Sequence, residues 1–181
     1  MADTGAVAPG TLASDNSHGS AAWTDASNAA SNNDTYATVS LLTDVEVVKL
    51  VVGGSVSGDN RVADNAATLP GSETLLDYGG AAVLWGLTPT AAQVKSSDFG
   101  CVLAVWDGAL NASEYLKATN FDFSAIPAGA TINGVKVGYG AFYDSMAFLA
   151  KVDYVQMTVY YTAGGVPKLL GKLAGKLSGK L

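Results

Sequence analysis

The chain has 181 residues, enough for one domain with a real core and too few to expect two. Apolar residues make up 49% and charged ones 14%, with 21 glycines, the balance of a turn-rich all-β protein. A net charge of −6 without a basic, aromatic-interleaved stripe argues against nucleic acid, and one histidine with one cysteine leaves no zinc cluster and no internal disulfide.

Charge is unevenly placed. Residues 1–165 hold all 16 acids and 6 of the 10 bases, 6 − 16 = −10, and the end of the chain holds the other 4 lysines and no acid. No run of 18 apolar residues exists, so no transmembrane helix is expected, and MADTGAVAPG lacks the basic and apolar regions of a secretory signal.

Residues 1–22 are small, polar and unpatterned, which predicts an arm or loop ordered by a neighbour. After Trp23 a turn-rich spacer leads to a strand near Tyr36–Leu41. Asp44–Val52 alternates, with Val45, Val47, Lys49 and Val51 on one face and Glu46, Val48, Leu50 and Val52 on the other. Residues 55–74 form a polar loop turning at Pro70-Gly71. A short segment at Leu75–Tyr78 precedes YGGAAVLWGL, and Thr88-Pro89 suits the cap and first position of one short helix.

Phe99–Trp106 is the next strand and contains Cys101, a buried inert thiol by its apolar setting; His18 lies in polar SDNSHGS, so no Cys/His dyad is expected. Tyr115–Ile126 and Ala130–Val137 are strands joined by a corner at Pro127-Ala128-Gly129, since proline lacks an N–H and glycine permits the reversal. In the second, Ile132, Gly134 and Lys136 oppose Thr131, Asn133, Val135 and Val137. Ala147–Thr162 closes the set, with Val155, Met157 and Val159 facing the core and Val152 on the opposite face.

Several phrases carry a resemblance. Pro9-Gly10-Thr11, Gly19 to Trp23, Asn28-Ala29, Asp34 to Thr38, YGG, LWGLTPTAAQ, SDFG, the F-x-F-S-x-IP-x-GATI-x-G-V segment and the DYVQMTVYY ending are together similar to a β-sandwich module of tailed-bacteriophage virion proteins. The resemblance covers roughly residues 9–162. One departure is plain: in that family the YLKATNF…GATI segment directly follows the YAT strand, and here it follows FGCVLAV. The resemblance implies a virion structural protein that meets copies of itself and other capsid or tail proteins, assembled in the host cytoplasm.

The end reads VPKLLGKLAGKLSGKL, with Lys168, Lys172, Lys176 and Lys180 each followed by Leu169, Leu173, Leu177 and Leu181. As a helix its three glycines would cost roughly 1 kcal/mol each relative to alanine; extended, it sets leucines on one face and lysines on the other. Docking on protein is favoured over a membrane surface, because leucines suit an apolar groove and lysines an acidic neighbour such as the −10 body.

Other motifs are set aside. Asp3-Thr4-Gly5 spells an aspartic-protease triplet once, where that chemistry needs two carboxylates. Asn33-Asp34-Thr35 and Asn111-Ala112-Ser113 match glycosylation acceptors but suit turns, and Asp59-Asn60 with Asp64-Asn65 fits no Ca²⁺ loop. Trp23, Trp85 and Trp106 offer a stacking platform for a host surface glycan.

The expectation is thus an all-β antiparallel sandwich, jelly-roll-like, with one short helix: an N-terminal arm (1–22), the sandwich (23–162) and a docking tail (163–181). It is a non-enzymatic capsid decoration or head-spike subunit without cofactor or metal. The alternative is a tail-associated carbohydrate- or receptor-binding module.

Overall fold

The computed structural model describes residues 1–65 and 67–164, and the Lys/Leu positions from Lys168 to Leu181 lie outside them. Ten strands and one short helix follow in order among the described residues: β1 (Ala2–Asp3), β2 (Pro9–Asp15), β3 (Ala37–Ser40), β4 (Asp44–Val52), β5 (Ser55–Ser57), β6 (Thr74–Gly79), α1 (Ala91–Val94), β7 (Gly100–Trp106), β8 (Tyr115–Phe121), β9 (Thr131–Asp144) and β10 (Leu149–Thr162). They build two antiparallel sheets. One runs β1-β10-β9-β6 with β3 also on β10; the other runs β2-β8-β7-β4-β5. The core lies between them, around Trp85, Tyr78, Tyr139, Phe99 and Phe123. The expected all-β sandwich is what the chain forms.

The corner at Pro127 changes sheets: β8 before it pairs with β2 and β7, and β9 after it pairs with β6 and β10. Gly129 turns at φ 80°, and the Ala130 N–H donates to the Pro127 carbonyl at 3.1 Å. Phe121 stacks on Phe123, which meets Phe99 edge-on at a centroid distance of 6.1 Å, so aromatic rings anchor the corner to the shared core.

Residues 1–22 differ from the expected arm. Pro9–Asp15 is an edge strand hydrogen-bonded to β8, and Ala2 and Asp3 pair with Tyr161 and Tyr160. Segments of the N-terminal third lie end to end along one edge of β10: β1, then Val7 opposite Met157, Ala30 opposite Tyr154, and β3 opposite Leu149 to Val152. Covering that edge withholds a row of backbone donors and acceptors from other chains.

Strict alternation fails in three strands, each time at an extra residue. In β4 the register slips at Glu46, so Val45 and then Val48 and Leu50 face the core, in place of one continuous set. In β10 it slips at Asp153, which turns Val152 inward along with Val155, Met157 and Val159. In β9 the extra residue is Asn133, and Ile132 and Val135 both point inward. A bulge inserts one residue and reverses the phase beyond it.

The helix starts later than Thr88-Pro89 suggests. Thr90 is the cap: its hydroxyl accepts from the Gln93 N–H, and the Gln93 side chain accepts from the Thr90 N–H at 2.9 Å. That reciprocal pair outweighs a proline two residues earlier. Cys101 is fully buried on β7, and burial pushes its thiol up to about 12, so it stays protonated at neutral pH.

Candidate functional site

The aromatic platform expected from the tryptophans is not presented. Trp23 is 5% exposed and its indole N–H donates to the Glu114 carbonyl; Trp85 is 1% exposed and donates to the Val135 carbonyl at 2.9 Å. Both indoles are core anchors held by different elements, because a large ring gains more by burial than a stacking face would leave it. Trp106 alone is half-buried, at the end of β7.

The remaining motif residues are structural as well. Asp3-Thr4-Gly5 belongs to the covered β10 edge, where the Thr4 N–H donates to the Val159 carbonyl and the Thr4 hydroxyl accepts from the Val159 N–H. Asn60 accepts from the Val48 N–H, and Asp64 pairs with Arg61 and accepts from the Gly79 N–H, so these side chains pin their loop. Asn111 lies in a loop capped by the Asp107 carboxylate, and Ser113 is buried with its hydroxyl accepting from the Val105 N–H. The His18 Nε2–H donates to Glu46 Oε2 at 2.8 Å, and the ring stacks on Tyr115 at 4.6 Å.

Several of the phrases that carry the resemblance meet in space. Pro9 pairs with Phe121 and Thr11 with Thr119. The Asn28 amide donates to the Tyr36 carbonyl. The YGG and LWG phrases close on TINGV: Gly80 N–H and the Trp85 indole both donate to Val135 O, and Val135 N–H donates to Val83 O. A Cβ on Gly134 would lie 2.2 Å from the Gly80 carbonyl oxygen, so only glycine permits that approach.

One group of side chains does not serve packing. Asp34, Glu73 and Asp153 each bring a carboxylate oxygen within 4.8 Å of the others. Three elements supply them. Asp153 is the extra residue in the β10 bulge. Asp34 sits in a turn where the Asn33 side-chain Oδ1 accepts from the Thr35 N–H, and it adopts φ 60°, which aspartate tolerates better than most residues. Glu73 immediately precedes β6.

Asp34 and Glu73 are exposed, but Asp153 has 0% exposure. Its Oδ1 receives only a 3.4 Å contact from the Asn33 N–H, and its Oδ2 has no hydrogen-bond partner. None of the five ion pairs among the described residues includes any of the three acids; the nearby Lys151 is committed to Asp144 at 2.7 Å. Burial, then Asp153 and Asp34, hold the Glu73 carboxyl above its ordinary value. Burial, then Asp34, Glu73 and Asp153, raise the Tyr36 phenol, and burial, then Glu73, Asp153 and Asp77, raise that of Tyr154; both flank the group. Sequence reasoning missed this cluster, since its members are about forty and eighty residues apart. The one signal was a charge at the break in phase between Val152 and Val155.

Comparison with protein-family models, curated proteins and solved structures finds no match to the chain.

Proposed function

We propose that the chain is a non-enzymatic structural subunit of a tailed-bacteriophage virion, a head decoration or spike protein rather than a tail component. One observation supports this above others: phrases similar to the virion module meet in the fold at three places, Pro9-Gly10-Thr11 on the strand ending at Phe121, Asn28 at Tyr36, and YGG and LWG on Val135. They contribute close backbone approaches at Gly79 and Gly134 and the buried Trp23 and Trp85 indoles, a frame suited to a building block that works through contacts.

Residues 1–15 are spent on the chain's own sheets, so docking falls to the Lys/Leu/Gly segment at 163–181. Its 4 lysines complement the −10 of residues 1–165 on a neighbouring copy or another acidic subunit. Modest affinity per copy suffices when many copies bind one shell. The buried indoles of Trp23 and Trp85 count against the glycan-binding alternative.

Truncation tests this. Particles assembled without the protein and then incubated with the full chain retain it through a density gradient. Deletion of residues 166–181 abolishes retention and leaves β-type circular dichroism unchanged. A truncated chain that still travels with particles would contradict the docking role.

A further inference from the structure

We propose that Asp34, Glu73 and Asp153 form a Ca²⁺-binding site at the β10 bulge. A buried carboxylate is expensive to keep ionised without a compensating charge, and Asp153 has none among the described residues: it is fully buried, its Oδ2 lacks a hydrogen-bond partner, and none of the five ion pairs there includes it. Carboxylate oxygens of Asp34 and Glu73 lie within 4.8 Å of one of its own, which adds repulsion to desolvation. A bound divalent cation resolves both costs at once.

The geometry favours calcium. Ca²⁺ holds oxygens at about 2.3–2.6 Å, so its ligands spread to about 5 Å across the ion, and the three carboxylate oxygens here lie within 4.8 Å of one another. Mg²⁺ demands a tighter and near-ideal octahedron and gives up its waters reluctantly. Asp34 and Glu73 are exposed, which leaves room for water to complete the larger shell. The ion would tie together the turn before β3, the entry to β6 and the middle of β10. The site is independent of the virion reading and stands on this chain's residues alone.

Calorimetry on the full chain, stripped with EDTA and titrated with CaCl₂, tests it. Three carboxylates with two of them exposed correspond to a Kd of about 10⁻⁴–10⁻³ M. At about 100-fold excess over Kd the melting midpoint rises by roughly 5–10 °C. Glu73→Gln changes an exposed side chain, keeps the fold and weakens Ca²⁺ binding at least about tenfold. Asp153→Asn removes the calcium response while raising the midpoint in EDTA, because an unpaired buried charge is gone.

Terbium gives a second readout: Tb³⁺ bound beside Tyr36 and Tyr154 luminesces on tyrosine excitation, and CaCl₂ quenches the signal by displacement. No heat and no shift in midpoint at about 10 mM CaCl₂ would overturn the site. A calcium response unchanged in both Glu73→Gln and Asp153→Asn would overturn it equally, by placing the ion elsewhere. An equal response to MgCl₂ would overturn the assignment to calcium.

Discussion

Trp85→Ala is expected to destabilise the protein by about 3–5 kcal/mol, the cost of deleting a buried tryptophan and leaving a cavity. Trp85 is among the largest fully buried side chains and sits at a turn, with φ 59° followed by Gly86 at φ 69°. Its indole N–H reaches Val135 O, and Gly79 stays small to admit it: a Cβ there would lie 2.8 Å from the indole nitrogen. The Val135 carbonyl keeps a second donor in the Gly80 N–H, so the loss is dominated by the cavity and not by an orphaned acceptor. Trp85→Phe, which retains most of the volume, should cost about 1–2 kcal/mol. Urea denaturation of both variants measures the difference. A loss below about 1 kcal/mol for Trp85→Ala would mean that this turn is not a clamp between the YGG–LWG segment and β9.

Gly100→Ala is the second large effect, from one added methyl. A Cβ at Gly100 would lie 1.9 Å from the Ala118 carbonyl oxygen, on the neighbouring strand of the same ladder. Backbone cannot swing aside as a rotamer does, so β7 and β8 must separate in the middle of the sheet. The expected loss is about 3 kcal/mol or more, at the upper end of overpacking costs. Gly71→Ala is the control: no atom lies within 4 Å of the added carbon, and the change should stay within about 0.5 kcal/mol or stabilise slightly. Equal effects at the two positions would contradict the close approach of β7 and β8.

These two glycines show what was legible in the sequence. FGCVLAV declares itself a strand because its apolar residues are buried on both faces, so no phase had to be chosen. The break at Pro127 was equally plain, since proline and glycine act locally. That the break also transfers the chain from one sheet to the other depends on partners that a local pattern does not name.

The strands with bulges were legible in type and illegible in phase. Around Glu46, Asn133 and Asp153 the apolar residues run Val45/Val48, Ile132/Val135 and Val152/Val155, a spacing of three inside a period of two. That spacing is the sequence signal of an inserted residue, and in β4 and β10 the inserted residue is an acid. Strand β2 was missed for a different reason. PGTLASD is an edge strand with little apolar content, and its stability comes from the β8 ladder and the Lys117–Asp15 pair at 3.0 Å. The acidic group at Asp153 was illegible because Asp34 and Glu73 are ordinary turn acids until the fold brings them beside a buried third.

The proposed function makes this sandwich a repeated part of a phage particle, working through contacts and not through chemistry. Quantitative mass spectrometry of gradient-purified particles carrying this gene tests it most directly. Peptides of the chain should be present at a fixed copy number set by the symmetry of the shell. Peptides confined to the soluble fraction of the lysate, with none in the particles, would contradict it.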